Sequence, residues 1–332
     1  MNDVPMWQRP LRVAPDMTVA ALVDELSYSS FGARRVARAC QLASRWASNP
    51  QLRVIITISG ALSIAQQTSI VAQLIGAGKL HAVITTGAVV THSLTQEAGG
   101  RRRSVGPEES DEALAQGGLN RVFDTIESDD NLSLLHALVT ELSAAELRGN
   151  VGSVDILRAL GTSSRLRGEG LVAAAARAEV PIFVPALSDS ELGLRLARTV
   201  RAGTSWTYDG FADLQRFADW LRRGTDYAIL SLGGGVPRNW AQQMFAEVND
   251  HGAGEGPRLV TGIRICPDTE PLGHLSGSTF SEARSWRKIP AYDDRRFVEV
   301  PLDFTLVFPL LAISMLQNGA AHGVPLPRRA SG

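Results

Sequence analysis

Six short runs of β-branched and other apolar residues recur along the chain, separated from one another by longer stretches with helical character. Such runs are typical of parallel strands, which are buried on both faces because helices cover them. Crossovers between parallel strands are right-handed. The pattern therefore predicts an α/β fold, with a doubly wound, mostly parallel sheet and helices on both faces. The predicted strands are Val54–Ile58, Ala82–Thr86, Pro181–Val184, Tyr227–Leu232, Leu259–Ile263 and Phe297–Val300.

The size and composition are those of an ordinary globular protein. The chain has 332 residues, of which 44% are hydrophobic and 20% charged, so it can bury a substantial core. No internal repeat and no linker stand out. We therefore predict a single domain over residues 1–332, with a frayed tail over 319–332 that is rich in Ala, Pro, Arg and Ser.

The net charge indicates which partners the protein can attract, and the cysteine content indicates the cellular compartment in which it works. The net charge is −1 and the pI about 6.6, which predicts no general attraction to nucleic acid or to an anionic membrane. Cys40 and Cys266 are too few for a disulfide framework or a cysteine-based zinc site. Residues 1–15 lack the pattern of a signal peptide, and no apolar run is long enough for a membrane span. We expect a cytoplasmic protein.

The segment 99–118 interrupts the alternation of strands and helices. It contains Arg101, Arg102 and Arg103, followed closely by Glu108, Glu109, Asp111 and Glu112. Three arginines could bind a phosphate, but the acidic residues beside them favour a solvated surface loop. We predict such a polar loop here.

Small and polar residues follow four of the predicted strands. The run Gly233-Gly234-Gly235 ends one strand and opens a helix, which is where a doubly wound sheet binds nucleotides. A tight turn without ligand explains the glycines as well, and strand ends are often small and polar. If the four loops share one edge, they form a polar crevice. The other three loops are Ser59–Ser63, Thr85–Ala88 and Pro185–Asp189.

Lys288 is the strongest candidate for covalent chemistry. It follows Trp286 and Arg287 in a stretch otherwise poor in lysine. A lysine amine beside apolar or cationic groups loses its proton more readily and becomes a nucleophile that forms imines. Arg287 is the adjacent cation in sequence, and Trp286 is a candidate wall. The alternative is a surface lysine that closes a helix.

The region around Lys288 also carries a family resemblance. Its matching positions are Ser276-Gly277, Glu282-Ala283, Ser285-Trp286, Lys288-Ile289, Asp303 and Leu306–Leu311. This pattern resembles the C-terminal signature of the deoxyhypusine synthase family, and in particular its bacterial deoxyhypusine-synthase-like branch. The resemblance extends over about residues 12–317. It implies a Rossmann-like NAD-binding fold, an imine intermediate on Lys288, and a homotetramer built as a dimer of dimers with active sites across the dimer interface.

The resemblance also assigns ligands to individual residues. In the family the positions that hold NAD correspond to Ser59, Ser63, Thr85, Thr86, Gly87, Asp189, Gly233, Gly234, Ser276 and Asp303. Asp303 is a candidate through the resemblance alone. For the amine substrate the candidates are Glu282, Trp286, Asn239 and Glu191. Glu191 has an alternative interpretation as an acid that stabilises the start of a helix.

The chain departs from the eukaryotic members of the family at the positions that line their polyamine channel. Leu194, Leu272 and Leu275 stand where those enzymes have aspartates, and Asn239 stands where they have a histidine. His92 replaces a glutamate. Carboxylates spaced along a channel are what a long polycation requires. Their loss predicts a shorter, less charged or differently charged amine.

His92 and His274 are candidates for moving a proton, because only a neutral amine gives up hydride. His92 is the better candidate, since it follows Thr85-Thr86-Gly87 by about one helical turn. His274 is more simply explained as a polar loop residue. The remaining histidines show no paired ligand spacing, so no metal site is predicted.

The expected activity is NAD-dependent transfer of an aminobutyl group from a polyamine such as spermidine. Lys288 carries the group as an imine, and the acceptor is more plausibly a small amine, giving a homospermidine-type product, than a protein lysine. Two alternatives remain open: an NAD-dependent enzyme acting on a different amine, and a binding protein that has lost catalysis.

Overall fold

The structure is a computed structural model that describes residues 7–142, 147–167, 170–249 and 256–317. It divides into two compact units. The first unit comprises Met1–Thr57, Ala77–Leu80 and Trp220–Gly332, and the second comprises Ile58–Gly76 and His81–Asp219. This division does not test whether the chain is a single domain, which remains a prediction. The predicted frayed tail over 319–332 lies outside the described residues.

Six strands form one parallel sheet, as the apolar runs predicted. They are β1 Arg53–Ile58, β2 Ala82–Thr85, β7 Ile182–Phe183, β9 Asp226–Leu232, β10 Arg258–Ile265 and β11 Phe297–Val300. Their order is β11-β10-β9-β1-β2-β7, so successive strands run outward from β1 in one direction and then from β9 in the other. Strand β10 pairs in parallel with β9 and β11, and β2 pairs in parallel with β7. The doubly wound α/β prediction is confirmed.

Helices flank this sheet. They are α1 Val19–Ser27, α2 Phe31–Ala47, α3 Thr68–Gly76, α4 Gly87–Glu97, α5 Asp111–Gln116, α6 Asp130–Thr140, α7 Ser153–Gly161, α8 Leu171–Arg177, α9 Glu191–Ala202, α10 Gly210–Leu221, α11 Gly235–Val248, α12 Phe280–Ser285 and α13 Phe304–Leu316. Two short 3₁₀ helices, Glu270–Leu272 and Leu275–Gly277, precede α12. Among the described residues, no helix has the length and apolar character needed to cross a membrane.

The first unit is held together by apolar packing with polar contacts inside it. Helix α2 buries one face, including Trp46, and packs against α13. The Trp46 indole Nε1 donates to Thr261 Oγ1 on β10 at 3.2 Å. Thr57 Oγ1 on β1 donates to Ser231 Oγ on β9 at 2.8 Å, so these buried hydroxyls satisfy each other.

The second unit contains two smaller sheets that the sequence did not predict. Strands β3 Arg102–Ser104, β4 Leu119–Val122 and β5 Thr125–Ser128 form an antiparallel sheet of order β3-β5-β4. Strands β6 Gly149–Val151 and β8 Trp206–Tyr208 pair in parallel.

The segment 99–118 is thus not a loop as predicted, although most of its residues are exposed. The segment contains strand β3 and helix α5, and Ser110 caps that helix by accepting from the Ala113 N–H. The Arg102 side chain is buried and forms an ion pair with Glu127. A long-range ion pair stabilises this strand, whereas apolar periodicity, the signal that identified the main sheet, is absent here.

Candidate active site

The backbone of Lys288 closes helix α12. Arg287 adopts a left-handed conformation with φ 57°, and the Lys288 N–H donates to the Ala283 carbonyl at 3.1 Å. To this extent the helix-closing interpretation is correct. The side chain shows more, because Lys288 Nζ is half-buried and donates to Asn239 Oδ1 at 2.8 Å. Within the described ranges, no carboxylate forms an ion pair with Lys288.

The environment of Lys288 destabilises its charged form. Burial lowers the pKa of Lys288 below its ordinary value, and the positive charge of Arg238 lowers it further. The carboxylate of Glu282 acts in the opposite direction without overcoming them. The sequence had pointed to Arg287 as the neighbouring cation, but Arg238 exerts this effect. Lys288 therefore combines partial burial, a neutral hydrogen-bond partner and a nearby cation.

Two candidate substrate residues lie close to Lys288 on the same element. The Trp286 side chain is 64% exposed, and the centre of its ring lies 5.4 Å from Lys288 Nζ. Glu282 is exposed in the first turn of α12. An indole offers an apolar surface and a carboxylate offers an acceptor, which are the two kinds of contact that an aliphatic amine makes.

Arg238 is the site residue that sequence reasoning missed. It lies in the first turns of α11, directly before Asn239, and its side chain is only 2% exposed. Burial and the charge of Arg264 lower its pKa to about 10, against the opposing charge of Glu299. The sequence shows a polar residue near a helix start, where exposed arginines are common, so nothing in the local pattern marked it as buried.

The glycine run after β9 has local structural reasons. Gly233 and Gly235 have φ values of 77° and 61°, which side chains rarely adopt. Gly234 is buried, and a Cβ there would lie 2.6 Å from the Cα of Ser276. The tight-turn interpretation is thus sufficient to explain these glycines.

Ser276 and Asp303, the other two cofactor candidates in the first unit, also have structural roles. Ser276 Oγ donates to Asp268 Oδ2. Asp303 is the N-cap of α13, where its carboxylate accepts from the N–H and the hydroxyl of Thr305, each at 2.8 Å. Asp303 is exposed, and a carboxylate that accepts two hydrogen bonds retains free lone pairs for a ligand.

In the second unit, cofactor candidates follow strands β1 and β2. Ser59 is half-buried directly after β1, and Ser63 is 1% exposed. The buried hydroxyl of Thr85 donates to the Ile58 carbonyl at 3.0 Å, and Thr86 caps α4 by accepting from Val89 N–H. Gly87 is buried against the side chain of Ser190, with no room for a Cβ.

Asp189 and Glu191 are exposed at the start of α9. Ser190 between them is the N-cap and accepts from the Gly193 N–H at 3.0 Å. Glu191 is the first residue of the helix, a position in which its charge stabilises the helix dipole. Glu191 therefore occupies the position of an acid that stabilises a helix start, as its alternative interpretation proposed. The side chain of Asp189 is exposed to solvent.

His92 belongs to a buried charge network in the second unit. Its Nδ1 lies 3.1 Å from Glu127 Oε1, and Arg102 Nε donates to Glu127 Oε2 at 3.0 Å. Arg102 Nη2 also donates to the His92 carbonyl at 2.9 Å. The Glu127 carboxylate thus lies between the His92 ring and the Arg102 guanidinium. Glu127 is a second residue that the sequence did not single out.

His274 has a different environment. It is exposed, and its Nδ1 lies 3.5 Å from Asp268 Oδ2, the same oxygen that accepts from Ser276. Over the described ranges, no group of three or more His, Cys, Asp or Glu side chains is arranged to hold a metal ion.

Comparison with known proteins identifies the family. The family model for deoxyhypusine synthase matches residues 21–315, which is most of the chain. The chain belongs to the deoxyhypusine synthase family. The resemblance inferred from the region around Lys288 is confirmed.

Relatives of this family are similar along nearly their whole length. Probable deoxyhypusine synthase 2 of Methanosarcina mazei is 29% identical over 301 residues, covering 90% of this chain and 86% of the relative. Probable deoxyhypusine synthase 1 of Archaeoglobus fulgidus is 27% identical over 303 residues, covering 90% and 94%. A crystal structure of a candidate deoxyhypusine synthase from Entamoeba histolytica has a TM-score of 0.59 at 13% identity, covering 90% and 93%. At that identity the structural likeness supports the fold.

Proposed function

We propose that this chain transfers an aminobutyl group from a polyamine to an acceptor amine through an imine on Lys288. The observation that carries the proposal is the half-buried amine of Lys288, bound to the neutral amide oxygen of Asn239, with its pKa lowered by burial and by Arg238. An amine must be uncharged to attack an imine carbon. The family supplies an aminobutyl transferase as the class of enzyme.

Lys288 exchanges one carbon–nitrogen bond for another. Its Nζ attacks the imine carbon of the oxidised donor, the bond to the leaving diamine breaks, and the diamine departs with a proton. The acceptor amine then attacks the Lys288 imine, and Nζ is released in its free form. Asn239 Oδ1 holds Nζ in place, while Trp286 offers a wall to the aliphatic chain.

NAD is the proposed cofactor, and it would take up hydride from the carbon beside the donor nitrogen and return it to the final imine. In the sheet, strand order reverses between β1 and β9, and doubly wound sheets bind nucleotides outside the carboxyl ends of strands at such a point. In the first unit the exposed carboxylate of Asp303 is a proposed acceptor for a hydroxyl group of the cofactor, and in the second unit so is that of Asp189. In the second unit, His92 is proposed to accept the proton of the donor ammonium.

We propose a small amine as the acceptor. Leu194, Leu272 and Leu275 are exposed apolar residues, and in the eukaryotic enzymes their positions carry channel aspartates. Without carboxylates at these positions, the ammonium groups of a long polycation have fewer partners. The second candidate acceptor is a protein lysine, which the names of the archaeal relatives favour. The proposal retains the homotetramer that the resemblance implied.

A transfer assay tests this proposal and separates the two acceptors. Spermidine and NAD are supplied with either putrescine or the lysine-bearing translation factor. We expect homospermidine formation to exceed labelling of the factor. The chain has two lysines, so Lys288→Arg should abolish transfer while Lys79→Arg leaves it intact. Transfer that persists in Lys288→Arg contradicts the mechanism, and efficient labelling of the factor with putrescine inert reverses the acceptor assignment.

A further inference from the structure

Arg238 is a buried cation without a carboxylate of its own. Its side chain is 2% exposed, and only Nη2 has partners, the Leu275 carbonyl at 3.0 Å and Ser278 Oγ at 2.5 Å. Nε and Nη1 are buried without a hydrogen-bond partner in the described part of the chain. An uncompensated buried charge is costly and is rarely retained without a function.

Glu299, the carboxylate whose charge acts most strongly on Arg238, is bound to other groups. Glu299 on β11 pairs with Arg264 through Oε2 at 3.0 Å and accepts from the Phe280 N–H through Oε1 at 2.8 Å. Arg264 is itself only 4% exposed. Glu282, which is exposed, is the second carboxylate whose charge acts on Arg238. Within the described ranges, neither Glu299 nor Glu282 forms an ion pair with Arg238.

Arg238 also connects the two elements that form the Lys288 site. It lies on α11 directly before Asn239, whose Oδ1 accepts from Lys288 Nζ at 2.8 Å. Its guanidinium donates to the 275–278 segment, which leads into α12, the helix that Lys288 closes. The contacts of one side chain thus link the helix that carries Asn239 to the segment that leads into α12.

We propose that Arg238 is a positioning residue that acts through Asn239 and through its charge, holding the Lys288 amine in place and in its nucleophilic form. This inference rests on the proposed role of Lys288. The positive charge of Arg238 destabilises the ammonium form of a nearby lysine. Because Arg238 is buried, salt barely screens the electric field of its charge. The charged groups that act on Lys288 are Arg238 from α11 and Glu282 from α12, with opposite signs.

The test measures the protonation of Lys288 without the transfer reaction. The whole protein is labelled with trace acetic anhydride across a pH series, and mass spectrometry follows the peptides of Lys288 and Lys79. Lys79, whose Nζ donates to the Ala47 carbonyl at 3.0 Å, is the internal reference. Arg238→Met and Arg238→Gln remove the charge, and Gln preserves a donor for the Leu275 carbonyl. Arg287→Met is the control, because Arg287 is an exposed cation adjacent to Lys288.

We expect the midpoint of Lys288 labelling to move to higher pH in both Arg238 variants, because removal of a cation stabilises the ammonium form. It should stay in place in Arg287→Met, and the Lys79 midpoint should stay in place throughout. An unchanged or lowered Lys288 midpoint in both variants overturns the proposal. So does a shift confined to Arg238→Met, which would indicate packing alone.

The native chain provides a second measurement if the variants fail to fold. A buried charge is barely screened by salt, whereas the field of exposed cations collapses at about 1 M salt. The Lys288 midpoint should therefore be the same at low and high salt, and a midpoint that rises with salt overturns the proposal. Since labelling requires neither NAD nor polyamine, failure here is distinct from failure of Lys288→Arg to abolish transfer.

Discussion

At the residue scale, the two lysines of the chain have contrasting environments. Lys79 donates to a backbone carbonyl, that of Ala47, at 3.0 Å. Lys288 is half-buried, donates to a side-chain amide, and has its pKa lowered by burial and by Arg238. An uncharged amine is the form that reacts, so the fraction of reactive Lys288 at neutral pH exceeds that of an ordinary lysine.

Gly234 is a poor position at which to test cofactor binding by steric exclusion. A Cβ at Gly234 would lie 2.6 Å from the Ser276 Cα and 2.9 Å from its carbonyl oxygen. Backbone atoms cannot move aside cheaply, so Gly234→Val would displace the 276 segment and disturb the fold there.

Asp189 is a cleaner probe of NAD binding, since it is exposed at the start of α9. Hydrogen bonds to a charged group contribute about 1.5–3 kcal/mol, so Asp189→Ala should weaken NAD binding roughly ten- to a hundredfold. Unfolding free energy should change by no more than about 0.5 kcal/mol. Calorimetry of NAD binding makes the measurement, with Asp16→Ala as the exposed control. Equal affinity in Asp189→Ala would mean that Asp189 does not hold the cofactor.

At the element scale, a buried ion pair ties strand β5 to strand β3 and helix α4 through Glu127, Arg102 and His92. Burial acts to raise the pKa of Glu127, but the hydrogen bond and charge of His92 and the charge of Arg102 outweigh it and lower the pKa. A lowered folded-state pKa stabilises the fold above the unfolded value, about 4.3, and the contribution is lost as pH falls toward the folded value.

Glu127→Gln should therefore destabilise the chain most at neutral pH. Breaking a buried ion pair costs about 3–5 kcal/mol, and that cost should shrink as the wild type also loses the pair in acid. Denaturant unfolding of the wild type and of Glu127→Gln, at pH 7 and at pH 3, gives the difference in unfolding free energy at each pH. A difference in unfolding free energy that is the same at both pH values would refute the role assigned to Glu127.

Helix α10 supplies a buried cap to helix α7. Asp213, 1% exposed, accepts from the N–H and hydroxyl of Ser153 at 2.8 and 2.7 Å. Asp213→Ala would leave these donors unsatisfied, and we expect a loss of about 2–4 kcal/mol in unfolding free energy. Gln215→Ala, an exposed position on the same helix, is the control and should change stability by about 0.5 kcal/mol or less. Similar losses in the two variants would contradict the capping role.

The elements differ in how much their sequence reveals. Each strand of the six-stranded sheet is a continuous apolar run, such as Val54–Ile58, because burial on both faces requires it. Strand β3 is Arg-Arg-Ser and relies on pairing with β5 and on Glu127, contacts between residues far apart in sequence. Arg238 was missed for the same reason: its burial depends on the 275–278 segment, which lies 37–40 residues away.

At the scale of the whole molecule, family and fold follow from the sequence, whereas the acceptor depends on side chains that have changed. The region around Lys288 resembles the family closely, and the family model matches residues 21–315. Leu194, Leu272 and Leu275 are exposed apolar residues. The family resemblance implies acids at these positions in the eukaryotic members. We thus propose that the imine chemistry at Lys288 is common to the family, and that the acceptor amine is specific to this chain.

The most direct test of the account is reductive trapping of the imine. The protein is incubated with NAD and spermidine, reduced with borohydride, digested and analysed by mass spectrometry. We predict an added aminobutyl mass on the peptide that contains Trp286 and Lys288, and none on the peptide that contains Lys79. Transfer activity without any adduct on Lys288, or an adduct confined to Lys79, would contradict the central claim.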